Sequence, residues 1–161
     1  MKELHDNAHG VCRMRNKLNG MHRKRRDIAV VQRVIDEIWN AGQIDLADDL
    51  FAVAYVNHGG LVSDLVPGPE GIKVGVALFR AAFPDLHISV DSLSAIEGIV
   101  QLHWTARSTI PDSRGGTADA VSAEHTLTGE TKSSVVDGRI AESWTSWDSI
   151  AALQRLGVFH Q

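Results

Sequence analysis

Cysteine is nearly missing from this sequence: Cys12 stands alone. One thiol excludes an internal disulfide and a multi-cysteine zinc site. Aromatic residues are scarce at 6%, with a single tyrosine, and there are only four prolines. No apolar run approaches the roughly 18 residues that a membrane span needs. A Gly-rich phosphate loop, a nucleophile elbow and a His-Glu-x-x-His motif are all absent. The eight histidines are scattered, so a metal site would have to be assembled entirely by the fold. Met-Lys-Glu-Leu-His at the start lacks the charged-then-apolar layout of a secretory signal. We therefore expect a soluble, cytoplasmic protein that engages no membrane.

What is present is a 161-residue chain with 43% hydrophobic residues, enough for one domain with a real core. Charge is divided unevenly along it. Residues 1–26 hold 8 of the 16 Lys and Arg but 2 of the 20 Asp and Glu, leaving 8 basic against 18 acidic residues beyond, a net of −10. An acidic body repels phosphate backbones, so no nucleic-acid partner is expected despite the run His22-Arg23-Lys24-Arg25-Arg26. Residues 1–26 read as a basic, flexible, solvated extension, and residues 27–161 as the folded domain.

From Asp27, a plausible N-cap, Ile28, Val31, Val34, Ile35 and Ile38 recur at helical spacing until Asn40-Ala41-Gly42. A short helix is expected over 45–51, followed by an extended lead-out over 52–57 and a Gly/Pro-rich loop. Pro69 or Glu70 opens a third helix that Pro84 stops. The period then changes to two. Strands are expected from His87, from Ile99 to Ile110, from Val121 to Val136 with a kink at Gly129, and from Arg139 to Trp147. Glu97-Gly98 and Asp137-Gly138 are hairpin signals. Helices grouped before a meandering sheet predict an α+β fold, with helices packed on a strongly curved antiparallel sheet as a cone-shaped barrel and a short helix at the C-terminus.

Trp39-Asn40, Asn57-His58, Phe83-Pro84-Asp85-Leu86, Asp137 to Ile140, Glu142, Trp144, Asp148 and Gln154 to Gly157 form an ordered set. Together they resemble the SnoaL-like polyketide cyclases of the nuclear-transport-factor-2-like superfamily, over Ile28 to Val158. The resemblance implies a pocket for a small hydrophobic molecule, no metal, no organic cofactor, and a homodimer packed through the sheet. It implies acid/base, aldol-type chemistry on a polyketide-like carbonyl compound. Relatives that open epoxides, and relatives that only bind or assemble, keep two other readings open.

By position in that pattern, Asp148 is the expected acid/base. Its place after Trp144 and Ser146 in the alternation puts it on a pocket-facing side; a helix N-cap is the plainer role. His58, beside Gly59-Gly60, and His103 are the other catalytic candidates, able to hydrogen-bond a carbonyl or shuttle a proton. Gln101 and His103 share one polar strand face, where related epoxide hydrolases carry an Arg-x-Asp pair. A dimer interface would make both structural. Ser134 lies on the strand where ring cyclases place groups near the substrate carbonyl. Trp39, Tyr55, Phe79, Phe83 and Trp144 are expected to wall the pocket.

Overall fold

The computed structural model of the chain describes residues 3–60, 66–110 and 123–148. Helix α1, Glu3–Arg33, runs into a wider π-helical stretch, Val34–Asn40, then a 3-10 turn, Ile44–Leu46, and the four-residue α2, Ala47–Leu50. Strand β1, Phe51–His58, precedes α3, Pro69–Ala82. Four strands close the description: β2 His87–Ile96, β3 Ile99–Ile110, β4 Ala123–Val136 and β5 Arg139–Trp147.

The α+β class is as the sequence indicates, and three details differ. Residues 52–57 are more than a lead-out: β1 joins the sheet and pairs parallel with β5, giving the order β1-β5-β4-β3-β2. The sheet is therefore mixed and open, with β1 and β2 as edges, rather than an all-antiparallel barrel. Asp27 is no N-cap, because α1 already begins at Glu3; its side chain is buried inside the helix run. The described side chains from Gly10 to Arg26 are exposed, so Asp27 marks where the helix meets the body. The expected C-terminal helix lies outside the described residues.

Both hairpin signals form as read. Glu97 (φ 51°) with Gly98 (φ 82°) and Asp137 (φ 51°) with Gly138 (φ 77°) take the left-handed conformations that a type I′ turn requires. Gly129 has another reason to be glycine. The β3–β4 ladder runs unbroken from Ile99↔Ser134 to Ile110↔Ala123, so no bulge interrupts it there; the irregularity in pairing falls between Ser134 and Val135, on the β5 side. Trp104, paired opposite Gly129, lays its ring across the glycine, where a Cβ would come within 2.2 Å of it.

Helices and sheet share one core, in which Val31, Val34, Ile35, Ile38, Phe51, Val76, Val100, Leu102, Val135 and Ile140 are buried. Val100, Leu102 and Ala106 point inward from β3 while Gln101, His103 and Arg107 point outward, the two-residue alternation of a half-covered strand. The end of the helical run is tied down by hydrogen bonds. Arg80 Nη1 on α3 donates to the Trp39 carbonyl at 2.9 Å and the Asn40 carbonyl at 3.0 Å. Asn40 Nδ2 donates to the Ile88 carbonyl at 2.9 Å, and Asn40 Oδ1 accepts from the Ile88 N–H at 2.8 Å. One amide thus occupies both outward backbone groups of an edge-strand residue and fixes Trp39 beside it.

Candidate functional site

Between the helices and the inner sheet face lies a cavity of about 220 Å³. That is room for an organic molecule rather than a few waters. Its walls are mainly apolar: Val31, Val34 and Ile35 from α1 and the π-helical stretch, Ile72 from α3, Leu102 and Ala106 from β3. Aromatic rings gather on one side. Phe79 packs against Trp39 (centroids 5.9 Å apart, 64°), Phe83 (6.5 Å, 21°) and Trp147 (6.0 Å, 59°), and all four line the cavity.

Hydrogen-bonding groups cross the floor in two rows. In the first, Trp104 Nε1 donates to Thr131 Oγ1 at 3.1 Å, Thr131 and Thr145 hydroxyls lie 3.3 Å apart, and Thr145 Oγ1 donates to Asn57 Oδ1 at 3.1 Å. In the second, Ser133 and Ser143 hydroxyls meet at 2.9 Å, and Ser143 bonds the hydroxyl of Tyr55. Burial pushes the Tyr55 phenol up to about 12 from its ordinary 10.0, against the opposing pull of Ser143. At neutral pH Tyr55 is therefore a proton-bearing hydrogen-bond donor inside an apolar wall.

A third polar spot lies further along the strands, where Ser108 on β3 and His125 on β4 are direct cross-strand partners and both line the cavity. Such partners sit with Cβ atoms about 5 Å apart. The strand end beside them is clamped: the Asp85 carboxylate accepts from the Thr109 N–H at 2.9 and 3.0 Å and from the Thr109 hydroxyl. Those bonds hold the Asp85 carboxyl below its usual range. Tyr55 and His125 are the ionisable side chains among the described lining residues, and no carboxylate is among them.

Trp39, Tyr55, Phe79 and Phe83 line the cavity, as singled out from the sequence. The other sequence candidates lie elsewhere. Strand alternation separates two faces without saying which is inward, and on β5 the cavity-lining residues are Ile140, Ser143, Thr145 and Trp147. Trp144, 41% exposed, is on the outer face, not in the wall. Its ring stacks on His58 (5.6 Å, 17°), whose Nε2 is 2.7 Å from Glu142 Oε1. Gln101 and His103 are outward too; Gln101 Nε2 lies 3.3 Å from His103 Nε2 and donates to Glu130 at 3.1 Å. Ser134 faces the same way, opposite Ile99 and Glu142. Asp148 is exposed, one residue beyond the cavity-lining Trp147. The structure thus does not bring Asp148, His58 and His103 together in the cavity.

Sequence reasoning passed over Ser108, His125, Thr131, Ser133 and Ser143. A signal existed for β4: Leu127 and Val135 are both odd-numbered, so the odd face was the apolar, inward one, and it carries His125, Thr131 and Ser133.

A family model described as SnoaL-like polyketide cyclase matches residues 29–156. Among solved structures, the chain is similar to a candidate polyketide cyclase from Acidithiobacillus ferrooxidans, with TM-score 0.66 and 21% identity over 83% of this chain and 95% of that one. It is also similar to IdmH, a candidate polyketide cyclase from Streptomyces antibioticus, with TM-score 0.64 and 25% identity over 81% and 98%. AclR, a candidate hydroxylase from Streptomyces galilaeus, gives TM-score 0.62 and 21% identity over 84% and 83%. No curated protein matches the sequence.

Proposed function

The chain belongs to the SnoaL-like polyketide cyclase family, and from that premise we propose that it is a cyclase or isomerase acting on a small, largely apolar compound with several carbonyl groups. The observation that carries this reading is the apolar cavity with hydrogen-bonding groups at two places along its length. Thr131 and His125 are six residues apart on one strand, about 20 Å at 3.3 Å per residue. An extended ligand anchored by one carbonyl at the Thr131 and Thr145 hydroxyls can thus present another to His125 and Ser108.

In this scheme a neutral His125 removes a proton from a carbon flanked by two carbonyls, which is acidic enough to need only such a base. Ser108 hydrogen-bonds the enolate oxygen that develops. The enolate carbon attacks a second carbonyl of the same molecule, forming one C–C bond, and the new alkoxide takes back the proton from His125. No atoms are gained or lost. The absence of a lining carboxylate among the described residues disfavours epoxide opening, which uses one as base. Asp148 is the competing base, supported by its place next to Trp147. The outer sheet face, with Val56, Ile99 and Trp144 exposed, is where the expected homodimer would form.

The test is proton–deuterium exchange and ring closure of linear aromatic polyketones long enough to span about 20 Å, followed by NMR and mass spectrometry. The protein should accelerate exchange at the flanked carbon, and His125→Ala should slow it by about a hundredfold. Ketone binding without exchange would show a binding domain instead.

A further inference from the structure

The stretch of α1 that projects beyond the body carries its own pattern. Val11, Met14, Leu18 and Met21 are 47–69% exposed, at successive separations of three, four and three residues. That is the a/d repeat of a coiled-coil seam, two positions in seven, narrower than the apolar face of a helix lying on a globular core or a membrane. In the same register Arg25 takes the next a position and ends the bare seam, and Ile28 takes the next d position, where it packs against the core beside Val31. The seam has no covering element among the described residues. In sequence, Leu4 and Asn7 hold the preceding a and d positions.

Charge decides what fits there. Positions flanking the seam carry Arg15, Lys17, His22 and Lys24, and no Asp or Glu occurs between Asp6 and Asp27. Two copies of this helix would set Lys17 against His22 in the parallel arrangement, and Lys against Lys or Arg against Arg in the antiparallel one. Neither supplies an attractive flanking pair. A bilayer is a poorer match, since residues 1–26 contain no aromatic anchor and the stripe is narrow. Nucleic acid would use the charges but leave the seam without a purpose.

We propose that this projecting helix, spanning about 25 Å from Gly10 to Arg26, is a docking seam for an acidic amphipathic helix of another protein, paired as a heterotypic coiled coil. The partner's apolar residues cover Val11, Met14, Leu18 and Met21, and its Glu or Asp residues face Arg15, Lys17 and Lys24. Arg23 on the same helix approaches the Glu97-Gly98 turn of the body, and its Nε lies 3.8 Å from Asp27 one turn further on.

The full chain should be titrated, by fluorescence anisotropy, with a synthetic three-heptad peptide carrying Leu at a and d and Glu at e and g. The comparison is the same peptide with Lys at e and g. The acidic peptide should bind at least about tenfold more tightly. The double variant Met14→Asp/Leu18→Asp should lose that binding, and Lys17→Glu/Lys24→Glu should reverse the preference, with the melting temperature of the body unmoved in both. Equal binding of both peptides, or binding that survives the Asp variants, overturns the proposal. So does tighter binding to phosphatidylserine vesicles or duplex DNA than to the acidic peptide. Self-association of the chain that Leu18→Asp abolishes would assign the seam to a second copy and likewise overturn it.

Discussion

The indole of Trp104 lies across the backbone of Gly129 on the neighbouring strand, so close that a Cβ there would stand 2.2 Å from a ring carbon. The obstacle is the body of a ring that also lines the cavity and donates to Thr131, not the free tip of a flexible chain. Gly129→Ala must therefore displace Trp104. We expect a stability loss of about 1–3 kcal/mol, the range for overpacking, measured by urea denaturation. Trp104 fluorescence should shift as its hydrogen bond to Thr131 breaks. Unchanged stability and spectrum would falsify this account of the glycine.

Asn40 joins the helical layer to the sheet through one side chain. Its amide both donates to and accepts from Ile88, on edge strand β2. Asn40→Leu keeps the bulk and leaves an N–H and a C=O of part-buried backbone without these partners. The expected cost is about 1–3 kcal/mol, with Asn40→Asp milder because a carboxylate still accepts from the Ile88 N–H. Equal stabilities for Leu, Asp and the natural residue would show that the amide does not anchor β2.

Tyr55 predicts an alkaline limit to stability. Its folded-state pKa of about 12 stands above the ordinary 10.0. Below pH 10 the phenol is protonated in both states and costs nothing. Between about 10 and 12 the unfolded chain releases the proton while the folded protein retains it, so stability falls as pH rises. Two units correspond to roughly 2–3 kcal/mol. Denaturation curves from pH 9 to 12 should show this decline, and Tyr55→Phe should remove most of it. A decline of the same size in the Phe variant would place its cause elsewhere.

How far these relationships were legible in the sequence depends on the range of the interaction. The hairpins at Glu97-Gly98 and Asp137-Gly138 are set by two residues each, and both were readable. So was α3, bounded by Pro69 and Pro84. The parallel pairing of β1 with β5 was not, because Phe51 and Ile140 meet across nearly ninety residues and no local rule selects the partner. The inward face of β5 was misassigned for a related reason. Trp144 looks like a wall residue by composition, yet it stands outside and stacks on His58, a contact that only the β1–β5 register creates. Continuous helix through the boundary at Asp27 was hidden as well, since the basic segment lacks a core-facing stripe but has enough good helix formers to extend one.

The outer-face placement of His103 and Gln101 yields a negative expectation. Both point away from the cavity, beside Glu130. His103→Ala and Gln101→Ala should leave turnover within about twofold, far less than the change expected for a proton-transferring residue. If a shift in sedimentation accompanies either variant, the role lies in an interface. A fall in turnover at constant mass would move the chemistry to the outer face and sink the cavity reading.

Asp148 gives the sharpest division between the two candidate bases. It is exposed and directly follows Trp147, whose indole lines the cavity and donates to the Gly59 carbonyl at 3.0 Å. With His125 as base, Asp148→Asn should leave exchange and turnover nearly intact, because Asn keeps the shape and gives up only the ionisable group. With Asp148 as base, the same variant should lose about a hundredfold or more, while His125→Ala behaves as a binding defect, raising KM with kcat little changed.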